Sequence, residues 1–184
     1  MLAIGDFEGA KKRGAKYRNF PAYAYATQAA IVEVDKETGE VRLLKVIAAH
    51  DVGRAINPHI IEGQMHGSCS MGQGYALTEG YPTENGYPVK TLYRQLGLPR
   101  VEDTPDYEII LIEDPEPQGP FGAKGISEVA TVPVTPAILN AVSRAIGVRI
   151  NKVPASPEVV LEAIRTGKCD VPTMEQQIKE LEKR

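Results

Sequence analysis

Tryptophan is absent from this 184-residue chain, and phenylalanine occurs only three times. A core must therefore be built from aliphatic side chains, and a hydrophobic share of 42% is enough for one domain. Cysteine is equally scarce. Cys69 and Cys169 stand far apart without metal-ligand spacing, which removes a disulfide scaffold and points to a reducing cytoplasm. No run of 18 apolar residues occurs, so no transmembrane helix and no membrane partner are expected. The opening MLAIGDFEGAKKRG has no apolar signal core, so secretion is not expected. Excess charge of either sign is also missing: 21 basic against 24 acidic residues leave a net charge of −3. That excludes the electrostatic footprint of a nucleic-acid binder. The one basic cluster, Lys11, Lys12, Arg13, Lys16 and Arg18, reads as a solvated arm.

Glycine and proline are plentiful, at 17 and 14, and they punctuate the chain. YAYATQAAIVEV, from Tyr23 to Val34, is rich in small and β-branched residues, and VRLLKVIAAHDV follows a DKETGE turn with Gly39 in it. This predicts a hairpin with Ile31, Val34, Val41, Leu44, Val46 and Ile47 as core candidates. Asn57 then offers an N-cap and Pro58 a first helical residue, for a helix reaching about Glu79. Ile61, Met65, Cys69, Gly72 and Ala76 form its apolar stripe. Gly63, Gly67, Gly72 and Gly74 lie within that helix, each at a cost of about 1 kcal/mol relative to alanine. Four such residues imply that something approaches its backbone closely. Residues 82–105 read as an irregular excursion, and DYEIILIE, Asp106 to Glu113, as a strand. Two capped helices follow, one from Thr135 and Pro136 to Gly147, the other from Ser156 and Pro157 to Gly167. The pattern predicts an α+β fold, an antiparallel sheet with packed helices. Residues 1–19 form an arm, 20–170 the domain, and 171–184 a charged terminal helix.

The chemistry-bearing residues are few. His59 and His66, seven apart on one helix, lack a third ligand of fixed metal geometry, and His50 lies outside that helix, so no metal ligand is assigned. GSCSMGQG, Gly67 to Gly74, carries Gln73 where a phosphate loop needs lysine, and no Ser or Thr follows. Cys69 falls in the apolar stripe and reads as a core thiol. GPFGAKGISE, from Gly119 to Glu128, is different. Its glycines free backbone N–H groups to face an anion or a polar cofactor edge. Glu128, set among Ile126, Val129, Ala130 and Val132, reads as partly buried, with its pKa raised by desolvation as a proton acceptor. The competing reading is a glutamate capping the helix that follows. The residues alone favour neither.

Two segments together carry a resemblance. HDVGRAINPHIIEGQMHGSCSMGQGYALTE (His50–Glu79) is similar to the D-V-G-x-x-x-N-P-x-x-x-x-G-Q-x-x-G segment of the molybdenum hydroxylases, the xanthine dehydrogenase and aldehyde oxidase family. GAKGISE (Gly122–Glu128) resembles that family's G-A-K-G-V-G-E loop, with Ser127 in place of the glycine. The resemblance covers about residues 20–167, leaving the arm outside it, and implies the last segment of a molybdopterin-binding domain. The family hydroxylates an electron-poor carbon of a heterocycle or aldehyde with water-derived oxygen. The resemblance implies Glu128 as the catalytic general base. It also implies Gln64, Lys124, Gly125, Ile126 and Ser127 as residues that hold a molybdopterin with Mo, of the cytosine dinucleotide form in bacterial members. The implied partners are the N-terminal part of the molybdenum subunit, an iron–sulfur subunit with its Fe–S clusters, an FAD subunit and a small-molecule substrate. The alternative is a non-catalytic orphan fragment, or an assembly or docking module.

Overall fold

Alternation in the first two apolar stretches becomes a hairpin. In the computed structural model, which describes residues 22–167, β1 (Ala26–Val34) pairs antiparallel with β2 (Val41–Asp51). The arm expected over 1–19 and the helix expected over 171–184 lie outside the described residues. Asp35 Oδ1 organises the turn, accepting from the N–H groups of Glu37 at 2.8 Å and Thr38 at 3.2 Å. Gly39 closes it with φ +81°, and a Cβ there would lie 2.3 Å from the Pro157 carbonyl oxygen.

Two of the expected core residues, Leu44 and Ile31, face out, the first because the hairpin carries a β-bulge. Ile31 pairs with Lys45 and Val32 with Leu43, so Leu44 has no partner. The extra residue shifts the alternation by one. Leu43, Val46, Ala48 and His50 consequently all face inward and are buried. Leu44 points out at 39% exposure, and Ile31, on the odd face of β1, is 49% exposed. Val46 is fully buried, while Val34 and Val41 are half-buried against the core and Ile47 is half-buried.

From β2 the chain enters α1 (Pro58–Leu77), capped by Asn57, whose Oδ1 accepts from Ile60 N–H at 3.2 Å. All five residues of its expected stripe are buried. The excursion beyond it contains a minimal hairpin, β3 (Thr83–Glu84) with β4 (Tyr87–Pro88), turned by Asn85 and Gly86 at φ 50° and 83°. Buried Gln73 of α1 ties the rest down, donating to the Asp103 carbonyl at 2.8 Å. β5 (Asp106–Ile112) then returns beside β2 and runs parallel to it, from Lys45↔Asp106 to Asp51↔Ile112. The sheet is thus mixed, not antiparallel throughout, because α1 acts as the crossover that a parallel neighbour requires. The α+β class stands.

α2 (Val134–Ile146) and α3 (Pro157–Thr166) complete the fold. Gly147 and Gly167 end them in left-handed conformation, as expected. Ser156 holds the N-cap position of α3 as expected, without a side-chain cap bond, whereas Pro133 and not Thr135 holds that position in α2. Thr135 Oγ1 donates instead to the Gly72 carbonyl of α1 at 2.8 Å, and Ser156 serves Glu158, lowering its pKa. Among the described residues one stretch, Glu128–Ile146, has the length and hydropathy (1.3) of a membrane-crossing helix. It breaks before Val134, and its inward residues Val134, Ile138 and Val142 are fully buried in the core. The helices cover one face of the sheet. On the other, Ile31, Ile110 and Ile112 remain 41–49% exposed.

Candidate functional site

The end of β2 builds the site's foundation. Asp51 closes the strand, and its Oδ1 accepts from Gly53 N–H at 3.0 Å. Gly53, with φ +63°, pairs with Ala123 of the glycine loop; a Cβ on it would sit 2.4 Å from the Gly122 carbonyl oxygen. Arg54 N–H donates to that oxygen at 2.8 Å and Lys124 N–H to the Val52 carbonyl at 3.0 Å. The 119–128 loop is therefore stitched across the strand end through its backbone.

Lys124 makes the strongest anchor. Its ammonium is buried against Asp51 Oδ2, with Asp114 at 3.7 Å and the Tyr25 ring centroid at 6.0 Å. Burial alone would push the Asp51 carboxyl up, but the Lys124 ammonium and the Gly53 N–H outweigh it and hold it below its ordinary value. The same hydrogen bond raises Lys124. Lys124 is expected at the cofactor; within this chain its side chain is held by Asp51 and its N–H by the Val52 carbonyl, so it anchors the loop. Ile126 likewise turns its side chain toward the core.

Beyond Lys124 the loop opens. No described group accepts from the N–H of Gly125, Ile126 or Ser127. Ser68 Oγ of α1 donates to the Ser127 carbonyl at 3.2 Å, and Thr131 Oγ1 meets Met71 Sδ at 4.0 Å. These contacts set the loop beside the exposed face of α1, where Gly63, Gln64 and Gly67 lie. A Cβ added at Gly63, Gly67 or Gly125 would meet no atom within 4 Å. Gly72 and Gly74 differ: a Cβ at Gly72 would lie 2.5 Å from Val134 Cβ, and at Gly74 2.9 Å from Pro99 Cδ. Two of the four helix glycines are thus explained by packing within the chain. The other two, like Gly125 with the three N–H donors beside it, are not accounted for by packing among the described residues, and such glycines and donors are the means by which backbone can approach a polar group.

Glu128 begins the short turn Glu128–Ala130 directly after these donors. The expectation of burial and a raised pKa does not hold within this chain. Glu128 is exposed, and its own backbone N–H and the Ser127 hydroxyl hold the carboxyl below its ordinary value. The apolar neighbours do not share its direction: Ala130 packs into the core, but Glu128 and Val132, the latter 72% exposed, point away from it. Gln64 is exposed one helical turn before Ser68.

The histidines do not converge. His50 is buried in β2, His59 stands 3.9 Å from Glu62 in solvent, and His66 lies against the Tyr107 ring at 5.2 Å. Among the described residues no group of three or more His, Cys, Asp or Glu side chains is placed to hold a metal ion. Cys69 is a buried core thiol whose pKa burial pushes up to about 11. Asp51, Ser68 and Gln28 escape a reading of the sequence. Asp51 has a signal, an acid closing a strand ahead of Val-Gly. Gln28 becomes visible once the inward parity of β1 is known.

Comparison with known proteins follows the same outline. A family profile described as a molybdopterin cofactor-binding domain matches residues 3–105, reaching into the expected arm. A probable xanthine dehydrogenase subunit of Bacillus subtilis is 38% identical over 142 residues, 77% of this chain and 19% of that protein. The aldehyde oxidoreductase of Megalodesulfovibrio gigas is 37% identical over 147 residues, 79% of this chain and 16% of that protein. The crystal structure of quinoline 2-oxidoreductase from Pseudomonas putida 86 superimposes with a TM-score of 0.73 at 35% identity, over 77% of this chain and 19% of that one. The chain thus spans less than a fifth of the length of the relatives it matches.

Proposed function

Because this chain belongs to the molybdopterin-binding family of the molybdenum hydroxylases, we propose that it serves as the C-terminal piece of a molybdenum subunit, supplying the catalytic base and one wall of the cofactor pocket. The observation that supports this reading is the open space above Gly63, Gly67 and Gly125, where an added Cβ would meet no atom within 4 Å, in the loop and helix that Ser68 joins through the Ser127 carbonyl. Bound there, the molybdenum–pterin group supplies the redox chemistry by which an electron-poor carbon gains oxygen from water.

The chain's own residues have distinct parts. Gly63 and Gly67 let a flat ring system lie on the α1 backbone, with the Gln64 carboxamide as its hydrogen-bond partner. Gly125, Ile126 and Ser127 donate their N–H groups. Lys124, locked to Asp51, keeps that row of donors in place. Glu128 projects from the end of the row, so its carboxylate takes up the proton released as the water-derived oxygen attacks carbon. In the isolated chain the carboxylate is solvated and its pKa is held low. Closure by the rest of the subunit removes water and moves it upward, toward the range of a working base.

The substrate class is an electron-poor heterocycle or an aldehyde, in keeping with the relatives' names. The cofactor is assigned as the cytosine dinucleotide form. The N-terminal part of the molybdenum subunit, an iron–sulfur subunit and an FAD subunit complete the complex, in the cytoplasm. The exposed isoleucines of the sheet's outer face are the surface such a partner covers. The test is to isolate the native complex through a tag on this chain, identify the co-purifying chains, and measure its metal and pterin. Stoichiometric molybdenum with a pterin cytosine dinucleotide is expected. A stable complex free of molybdenum and pterin makes the chain a docking module.

A further inference from the structure

His50 is the histidine that the sheet buries, at 1% exposure, immediately before Asp51. On the inner face of the hairpin its Nε2 lies 2.7 Å from Gln28 Nε2. The same amide nitrogen donates to the Ala130 carbonyl at 2.9 Å, across to the turn that Glu128 begins. A carboxamide nitrogen carries two hydrogens. One serves Ala130, so the other points at His50, whose Nε2 must accept it. Turned through half a rotation, the amide would set its oxygen against a carbonyl oxygen, which repels. A single state fits: a neutral His50 with its proton on Nδ1. Burial, which pushes His50 below its ordinary value, keeps the ring neutral.

This arrangement leaves His50 Nδ1 and Gln28 Oε1 buried with no protein partner among the described residues. Buried polar atoms in that condition weaken a fold, and two apolar side chains of the same shape would not carry the cost. The pair's one bond out of the hairpin is directed at the Glu128 turn, which gives it a positional part beyond its cost to stability. The loop is held to the sheet on both sides of its open donors, with Ser68 of α1 on the Ser127 carbonyl between. Lys124 is fixed by Asp51 before the open donors, and Ala130 is fixed by Gln28 after them. Glu128 hangs between.

The geometry points to Gln28, oriented by His50, as a positioning residue that fixes the Glu128–Ala130 turn to the sheet and so sets where the Glu128 carboxylate stands. It acts through the Ala130 backbone and touches neither substrate nor cofactor. The consequence for turnover rests on the function proposed above; the consequence for the turn does not.

The experiment pairs Gln28→Leu with the double variant Gln28→Leu/His50→Met, which removes both orphaned atoms and keeps the volume. Amide hydrogen exchange by mass spectrometry is read in the full chain. The probes are the turn amides of Ala130 and Thr131, bonded to the Ser127 and Glu128 carbonyls at 3.1 and 2.9 Å. In both variants the turn is expected to exchange roughly tenfold faster while the β1–β2 hairpin of the double variant keeps wild-type protection. In the assembled complex kcat falls by roughly tenfold or more with KM and molybdenum content unchanged, since a misplacement of about 1 Å can cost about 10²-fold. Wild-type exchange of the turn in the double variant overturns the proposal. So does a uniform rise across turn and hairpin in that variant, which marks the pair as global packing. A loosened turn in a complex whose Glu128→Gln variant is fully active upholds the strut and sinks the proposed catalytic role instead.

Discussion

The glycines of α1 allow an opposed pair of substitutions to separate packing from binding. At Gly72 a new Cβ would lie 2.5 Å from Val134 Cβ and 2.9 Å from its Cγ1, inside a fully buried contact. Overpacking of that kind costs about 1–3 kcal/mol, and the gain in helix propensity returns about 1 kcal/mol. Gly72→Ala is therefore expected to destabilise the chain by up to roughly 2 kcal/mol. For a chain of this size that lowers Tm by up to about 8 °C. At Gly67 the same methyl meets nothing within 4 Å. Gly67→Ala collects the propensity gain alone and raises Tm by about 2–4 °C. Melting curves of the two variants at low concentration, followed by circular dichroism, read this directly. The second half of the experiment uses Gly67→Leu in the assembled complex, where the larger side chain fills the open space. Fold stability is expected to hold while molybdenum content, measured by mass spectrometry, falls to a small fraction of wild type. Full molybdenum in that complex refutes the proposed cofactor wall, and a Gly67→Ala chain as weakened as Gly72→Ala refutes the open face.

Removing the loop's anchor has a pH signature. Asp51 is held below its ordinary value when folded, so its contribution is complete above the ordinary carboxylate range, about pH 4, and is lost as pH falls through the folded value. Lys124 is raised, so its share is complete below its ordinary value of about 10.4 and is lost as pH rises through the folded one. Asp51→Asn is expected to lower Tm by several degrees at neutral pH and to flatten the acid limb of a Tm–pH profile; an unchanged profile contradicts the pair's role. Cys69, fully buried with its thiol pushed up to about 11, is expected to resist alkylation in the folded chain at about pH 8 and to react on unfolding, as peptide mapping after iodoacetamide shows. Met1–Arg184 expressed alone is expected to hold little pterin and to self-associate; Ile110→Lys/Ile112→Lys, placed on the outer sheet face, should shift sedimentation toward monomer.

Much of the fold is legible from local chemistry. Asn57 and Pro58 mark the start of α1, Gly147 and Gly167 the ends of α2 and α3, and the inward stripe of α1 follows the helical period. Most of the errors originate in long-range packing. Nothing local announces that Leu44 bulges out of register, so alternation from Val46 puts it on the wrong face; Ile31 shares the apolar character of Val34, although an odd spacing sets the two on opposite faces. Thr135 has the chemistry of a cap, yet the Gly72 carbonyl of α1 recruits its hydroxyl, while Ser156 holds its N-cap position as expected and turns its hydroxyl to Glu158. The Asn85–Gly86 turn is a local hairpin signal that the surrounding prolines obscure. At the candidate site the order of loop, lysine and glutamate is readable, and the geometry is not. Lys124 is singled out only by the family resemblance, and only the folded chain reveals Asp51 beneath it. Glu128 has apolar neighbours in sequence, but Ile126 and Ala130 face inward while it faces out.

The account stands most directly on Glu128→Gln in the assembled complex, with reductive half-reaction kinetics and metal content taken from one sample. Glutamine keeps the shape and the hydrogen bonding of the side chain and removes its basicity. Loss of a general base costs about 10²–10⁴-fold in rate, so reduction by substrate is expected to slow at least about a hundredfold while molybdenum and pterin stay at wild-type levels. Reduction near the wild-type rate with full metal contradicts the assignment, and loss of activity and metal together makes Glu128 a structural residue of the loop.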